Sequence, residues 1–378
     1  MDLYLHIGTE KTGTTAIQRF FKTNREALAE RDICYPTAPG NENHLALARA
    51  ALLFDKRGAL RRTAQIRTDD DVHNFRKTLL ADLSAELTAR PYRFAVMSNE
   101  HCSSHLLDDE EVVWLKDALA PLFDRIRIVV YLRRQDDYLL SSYSTAVKSG
   151  VTHTLAIPRE RAIHVHYDHW DLLSRWARVF GRDNIIARRF EKTSLKSGDV
   201  VDDFLDCTGI EASSSFQRPD TANESLDAES LEFLRLFNEH IPRLTDDGIS
   251  PLRDNVVPLL SKISKGPLLT LPEAELADFM ALFRDSNAKV AAEYFGGVRS
   301  GGDDPLFAPR NDTRPRVTGV TLSVERAVEI CAWLWQNKQA QVDRVTERLK
   351  KKRGEWERRR NRRNRPGGKP AQRRDAAE

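Results

Sequence analysis

The chain has 378 residues, of which 40% are hydrophobic and 30% are charged, a composition typical of a folded globular protein rather than a disordered or fibrous one. No apolar run reaches the roughly 18 residues that a membrane-spanning helix needs. The first residues also lack the basic and apolar regions of a signal peptide, so we expect a cytoplasmic protein. The four cysteines, Cys34, Cys102, Cys207 and Cys331, form no CxxC pair, which predicts reduced, structural thiols.

Short apolar segments alternate with longer stretches of helical periodicity, which is the pattern of a parallel sheet with crossover helices. Five strands are predicted, at Leu3–Ile7, Ile33–Tyr35, Arg93–Met97, Ile126–Leu132 and Asn184–Phe190. The sequence therefore predicts an α/β protein in three layers, with a parallel sheet between flanking helices.

The strand pattern fades after about Ser215, and helical patterns dominate, as at Ser230–Glu239 and Glu273–Phe295. We expect an α/β core at 1–215, a mainly helical part at 216–340, and a basic helix with a disordered tail at 341–378.

The last helix is predicted to begin at Ser323, which can cap it, and to end before the sequence RPGGKP. Its apolar residues recur on one face, from Val324 and Val328 through Trp335 to Leu349, and predict a buried stripe.

Residues 341–378 carry about nine net positive charges, whereas the whole chain carries +3. A solvated end, a nucleic-acid contact and an anionic membrane or polymer all fit such a tail. We favour the anionic surface, which would bring the protein to the inner membrane surface. Trp356 alone interleaves the basic residues, so no specific nucleic-acid binding is predicted.

The first predicted strand runs into the sequence GTEKTGTT, from Gly8 to Thr15, and a helix follows from about Thr15. A Gly/Thr-rich loop between a strand and a helix directs backbone N–H groups and the positive end of the helix dipole at one point. Such a loop is typical of an anion site. A P-loop NTPase places a lysine directly after the second glycine, but here Thr14 follows Gly13 and the lysine is Lys11, an order that argues against an ATPase.

The sequence KTGTT resembles the 5′-phosphosulfate loop of sulfotransferases that use 3′-phosphoadenosine 5′-phosphosulfate. The sequence YLRRQDDYLLSSY resembles the 3′-phosphate motif of the same family, with Arg133 at the strand end, Asp137 four residues on and Ser141 eight residues on. It departs from that motif at Arg134-Gln135, where the family commonly has Asn-Pro. The resemblance to bacterial members covers roughly residues 1–300.

This resemblance implies a fold related to nucleotide kinases and transfer of a sulfuryl group to a hydroxyl or an amine. The core at 1–215 would then bind the donor, and the helical part at 216–340 would complete the acceptor site. The resemblance also implies that Lys11, Thr12, Gly13, Thr14 and Thr15 hold the 5′ end of the donor. Arg133 and Ser141 are the residue types that suit its 3′-phosphate.

Sulfuryl transfer also requires stabilisation of charge on the bridging oxygen and removal of the acceptor proton. The Lys11 ammonium suits the first task, and with it the reaction needs no metal. For the second, Glu100 is our candidate base because it follows the third strand in SNEHCSSH, and carbohydrate sulfotransferases use a Glu or a His at such a place. His44, in NENHLAL, is the second candidate.

The segment HVHYDH, His164 to His169, matches HxHxDH, a zinc motif of metallo-β-lactamases. That fold needs further histidines downstream, and only His240 follows, so we predict no zinc here.

Two other functions stay open: a P-loop nucleotide kinase or NTPase, and a non-catalytic nucleotide-binding module of the same fold. The acceptor, a small molecule or a glycan, is not identified by the sequence; a carbohydrate is expected from the family resemblance alone.

Overall fold

The structure is a computed structural model that describes residues 1–56, 58–219, 225–245, 248–253, 255–298, 304–310 and 314–363. Its centre is a parallel sheet in the order β2-β3-β1-β4-β5. The strands are β1 (Asp2–His6), β2 (Ile33–Cys34), β3 (Phe94–Ser98), β4 (Arg125–Leu132) and β5 (Ile185–Arg189). Each of the five predicted strands is present, and the predicted α/β class with a parallel sheet between helices is confirmed.

Helices connect and flank these strands. They are α1 (Thr14–Thr23), α2 (Arg25–Ala29), α3 (Leu45–Ala51), α4 (Ala59–Arg62), α5 (Asp69–Thr88), α6 (His101–His105), α7 (Asp109–Leu119), α8 (Gln135–Lys148), α9 (Glu160–Tyr167), α10 (His169–Phe180) and α11 (Val200–Thr208).

The chain after residue 215 is mainly helical, as predicted. It contains α12 (Ala228–His240), α13 (Val256–Ile263), α14 (Glu273–Ala281), α15 (Arg284–Tyr294) and α16 (Val324–Arg363). Short strands pair as β6 (Leu244–Thr245) with β7 (Gly248–Ile249), and as β8 (Leu268–Thr270) with β9 (Arg316–Thr318). The helical stretch predicted at Glu273–Phe295 is two helices rather than one, and Phe279 and Phe283, on either side of the break, belong to one buried cluster.

Alternation along the strands divides the core into two layers. Leu3 and Leu5 of β1 are fully buried among residues of α3, α7 and α10, whereas Val129 and Tyr131 of β4 pack on the side of α1 and α11. The later helical part closes the first layer, because Val290 of α15 belongs to the same buried cluster as β1. This arrangement leaves the carboxyl ends of β1, β3 and β4 side by side at one edge of the sheet.

Helix α16 begins as predicted, since the Arg326 N–H donates to the Ser323 hydroxyl at 3.1 Å. The prediction that its apolar stripe is buried is wrong: 60% of Val328, 73% of Trp335 and 62% of Leu349 are exposed. A different face packs on the body. Ile330 is fully buried, and Trp333 Nε1 donates to the Leu259 carbonyl at 3.1 Å.

The error has a physical cause, because helical periodicity identifies an apolar face but not what covers it. The predicted end of α16 at RPGGKP lies outside the described residues, as does the part beyond residue 363 of the basic helix and tail predicted at 341–378. Among the described helices, none combines the length and apolar character needed to cross a bilayer.

Candidate functional site

A cleft of about 770 Å³ opens at the sheet edge where β1, β3 and β4 end. Residues predicted for donor binding or catalysis, from separate parts of the sequence, line it together: Lys11, Gly13, Thr14, Thr15, Glu100, Arg133 and Ser141. The other two predicted residues, Thr12 and His44, are not part of its lining.

The first loop turns sharply into α1 because Gly13 adopts a left-handed conformation, with φ 76°. A side chain could not replace its hydrogen, since a Cβ there would lie 2.8 Å from Val200 Cγ1. Lys11 is also left-handed, with φ 64°. The first turn of α1 contains no acidic residue, so the positive end of its dipole is not neutralised from within the helix and is suited to an external anion.

Arg133 follows β4 and joins the two predicted phosphate-binding segments. Its Nη1 donates to the carbonyl of Lys11 at 2.7 Å, and its guanidinium lies 5.7 Å from the centroid of the Phe190 ring. Ser141, two turns into α8, lines the same cleft. Burial lowers the pKa of Arg133, because its charge is poorly solvated there. Such a guanidinium favours an anionic ligand beside it.

Two further arginines surround Asp137, the acidic residue of the predicted 3′-phosphate motif. Arg310 Nε lies 3.1 Å and Arg316 Nη2 lies 3.4 Å from Asp137 Oδ1. Burial raises the pKa of Asp137, although Arg310 and Arg133 act in the opposite direction. The carboxylate thereby orients guanidinium groups at the end of the cleft where Arg133 lies.

Positive charge exceeds negative charge along the cleft. Lysines and arginines at five lining positions face three carboxylates: Lys11, Arg19, Arg133, Lys148 and Arg316 against Glu10, Glu100 and Asp137. Burial, followed by the repulsion of Arg133, lowers the pKa of Lys11, and burial followed by Lys11 lowers that of Lys148. A polyanionic ligand would relieve this repulsion, which makes it the ligand class that the electrostatics favour.

Glu100 is held in a defined position just after β3. Its Oε2 accepts hydrogen bonds from Gln18 Nε2 at 2.7 Å and from Asn43 Nδ2 at 3.0 Å. Gln18 belongs to α1, so the carboxylate is oriented by the same helix that follows the first loop. An oriented carboxylate beside Lys11 in a cleft is suited to accept a proton from a bound ligand.

The side chains of Thr12 and His44 make hydrogen bonds within the protein. The Thr12 hydroxyl donates to the Thr9 carbonyl at 2.6 Å and keeps the loop in shape. His44 is fully buried; its Nδ1 accepts from the Ser98 N–H at 3.0 Å, and its Nε2 donates to the Pro36 carbonyl at 2.9 Å. With both ring nitrogens occupied away from the cleft, His44 is not placed to take a proton from an acceptor, contrary to the second candidate assignment.

The segment HVHYDH spans the end of α9 and the start of α10. Asp168 caps α10 by accepting from the N–H groups of Trp170 and Asp171, and His169 Nε2 donates to the Arg133 carbonyl at 2.8 Å. These two members of the motif therefore support the helix and the cleft-lining Arg133.

Sequence reasoning missed three cationic residues of the cleft. Arg19 and Lys148 lie one turn beyond Thr15 and two turns beyond Ser141, so helical spacing could have revealed both. Arg316 comes 175 residues after Ser141. It reaches the cleft through the pairing of β9 with β8, which no local sequence pattern predicts.

Comparison with known proteins leaves the family open. No family model matches the chain. An uncharacterized protein of Archaeoglobus fulgidus is 32% identical over 212 residues, which are 54% of this chain and 55% of that protein; the match thus spans about half of the relative's length. A crystal structure of a sulfotransferase from Alicyclobacillus acidocaldarius is similar over 77% of this chain and 95% of that one, with 16% identity and a TM-score of 0.38. At that TM-score the similarity is a resemblance that decides neither fold nor activity.

The structural role of His44 predicts a pH effect on stability. Burial lowers its pKa from 6.5 to about 3, so the unfolded chain binds one more proton than the folded chain between these values. Stability then falls as the pH drops below 6.5, by about 1.4 kcal/mol per pH unit for this group. In His44→Gln, the slope of unfolding free energy between pH 6 and pH 4, measured by urea denaturation, should decrease by about that amount. The exposed His73→Gln is the control, and an unchanged slope in His44→Gln contradicts the structural assignment.

Proposed function

We propose that this protein is a sulfotransferase that moves a sulfuryl group from 3′-phosphoadenosine 5′-phosphosulfate to a hydroxyl or an amine. The observation that carries the proposal is the convergence of two anion-binding segments, the loop around Lys11 and the Arg133–Ser141 motif, in one cationic cleft. Such a donor carries a phosphosulfate at one end and a phosphate at the other. A single-phosphate ligand would leave one of the two segments unused.

In the proposed complex, the N–H groups at the start of α1 bind the 5′-phosphosulfate. Arg133 and Ser141 bind the 3′-phosphate, with Arg316 as a further guanidinium beside Asp137. The hydrogen bond from Arg133 to the Lys11 carbonyl keeps the two ends of the donor site at a constant separation. Holding both ends fixes the sulfur before the acceptor arrives.

The transfer forms a bond between the acceptor oxygen and sulfur and breaks the bond from sulfur to the 5′-phosphate oxygen. Glu100 accepts the acceptor proton, and the Lys11 ammonium stabilises the charge that develops on the leaving oxygen. The products are a sulfate ester and adenosine 3′,5′-bisphosphate. The negative donor offsets the burial and the Arg133 charge that lower the pKa of Lys11, so a bound donor favours the protonated form of Lys11.

The acceptor in this proposal is a small molecule or a glycan, with a carbohydrate hydroxyl expected from family resemblance alone. A P-loop kinase and a non-catalytic nucleotide-binding module remain the alternatives. Phosphate transfer from ATP would favour the kinase, and donor binding without turnover on any acceptor would favour the binding module.

The donor assignment predicts that adenosine 3′,5′-bisphosphate binds much more tightly than AMP or ADP, because only it engages Arg133 and Ser141. Arg133→Ala should remove about 2 kcal/mol of that preference by loss of a charge-assisted hydrogen bond. Isothermal titration calorimetry measures both quantities. The control is Arg178→Ala, which removes an exposed guanidinium paired with Asp109. Equal affinities of the wild-type chain for AMP and the bisphosphate would remove the 3′-phosphate assignment.

The catalytic assignment predicts that Lys11→Ala and Glu100→Gln each lower turnover by about a hundredfold or more. Glu100→Gln should leave affinity for the bisphosphate nearly unchanged, since Glu100 acts on the acceptor. The assay follows isotopically labelled sulfate from the donor into a panel of glycans and small alcohols. Glu42→Gln, in which a carboxylate paired with Lys22 is lost, is the matched control. Full activity of Glu100→Gln with an inactive His101→Gln would transfer the base assignment to His101.

We also propose that α16 docks the protein on an anionic membrane surface. Apolar residues recur at seven-residue intervals along its exposed face: Val328, Trp335, Val342, Leu349 and Trp356. The net charge of about +9 over 341–378 complements anionic lipid. It disfavours pairing with a second copy, which would bring two such tails together. The two exposed tryptophans favour a lipid surface over a polymer, because a purely electrostatic contact has no use for them.

Removal of residues 350–378 should abolish salt-sensitive sedimentation with phosphatidylserine vesicles while leaving folding and bisphosphate binding intact, since residues 350–353 and 355–357 are exposed. Vesicles of phosphatidylcholine serve as the uncharged control. Unchanged sedimentation of the truncated chain, or a truncated chain that no longer folds, contradicts the membrane proposal. A concentration-dependent dimer that disappears on truncation assigns the face to a second copy instead.

A further inference from the structure

Three potential metal ligands meet at the rim of the cleft. Glu10 belongs to the first loop, and His101 and His105 lie one turn apart on the same face of α6. One carboxylate oxygen and one nitrogen of each ring all lie within 4.8 Å of one another. Two histidines at this helical spacing, joined by a carboxylate, form a ligand set that zinc commonly takes in proteins.

The pair formed by His101 and Glu10 already has suitable geometry. The buried His101 Nδ1 pairs with Glu10 Oε1 at 3.4 Å, which is longer than an ordinary hydrogen bond. Ligands about 2.1 Å from a tetrahedral metal ion are separated by about 3.4 Å. A metal ion between the two groups would replace this long contact with a bond to each of them.

His105 completes the set after a small rearrangement. Its Nδ1 lies 2.9 Å from the Ser104 hydroxyl, which donates to Glu10 Oε1 at 2.7 Å. Ser104 therefore connects the same two groups that an ion would connect. An ion that replaced Ser104 as the partner of the His105 ring would complete the three-ligand set.

We propose that Glu10, His101 and His105 form a binding site for a divalent transition-metal ion of the zinc class. Because Glu10 and His101 line the cleft, the fourth coordination position is open to it, as in zinc sites that bind water or substrate. Glu10 and the nearby Glu100 offset the charge of Lys11 beside the ion. The site does not depend on which reaction the cleft performs.

The test uses the full-length chain, free of affinity tag and stripped with a chelator. Calorimetric titration with ZnCl₂ should give one ion per chain, and Co²⁺ should give the visible absorption bands of a tetrahedral site. His105→Ala and Glu10→Gln should each weaken Zn²⁺ binding at least tenfold, since each removes one of three ligands. His73→Ala, which removes an exposed histidine of α5, should bind as the wild-type chain does.

The metal site is ruled out if Zn²⁺ does not bind stoichiometrically, or if both ligand variants retain wild-type affinity. Two variants on separate segments keep the test valid if one of them does not fold, and circular dichroism in the absence of metal identifies such a variant. Binding of adenosine 3′,5′-bisphosphate, measured on the same samples, separates the two proposals. If the chain binds the bisphosphate but not Zn²⁺, the metal site is wrong and the sulfotransferase proposal is unaffected. If it binds Zn²⁺ but not the bisphosphate, the sulfotransferase proposal is wrong and the metal site is unaffected.

Discussion

The parallel pairing of β1 with β3 on one side and β4 on the other is the constraint on which the site depends. Parallel strands end at the same edge, so the segments that follow β1, β3 and β4 emerge side by side. One segment supplies Lys11, the second Glu100 and the third Arg133. The hydrogen bond from Arg133 to the Lys11 carbonyl then joins two of these segments directly. A change that displaced β1 would disperse the whole arrangement.

Burial gives this edge its chemical character. Arg133 and Lys11 both have lowered pKa values because they lie in poorly solvated surroundings. Nearby carboxylates offset this effect only partly: Asp137 for Arg133, and Glu10 and Glu100 for Lys11. An incomplete balance of buried charge is a cost to stability that a polyanionic ligand can offset. Beside Lys11, the carboxylate of Glu10 and the ring of His101 belong instead to a ligand set for a cation, which is why two different ligands are proposed a short distance apart.

Features set by short stretches of sequence were predictable. The strands follow from apolar runs, and the Lys11 loop, Arg133 and Ser141 follow from spacing within single strand–loop–helix segments. Features that depend on distant contacts were not. Arg316 reaches the cleft only because β9 pairs with β8, and His44 is a typical candidate base by residue type until its burial behind the loop is known. The prediction that the Trp335 face of α16 is buried was wrong for a related reason. The helix carries two apolar faces, and the body covers the one that contains Ile330.

A crystal structure of the chain with adenosine 3′,5′-bisphosphate tests the central claim most directly. The account predicts the 5′-phosphate at the N–H groups of residues 13–15, and the 3′-phosphate within hydrogen-bond distance of Arg133 and Ser141. A bisphosphate bound outside the cleft, or bound in it with the 3′-phosphate directed to solvent, would contradict the claim that these two segments form one donor site.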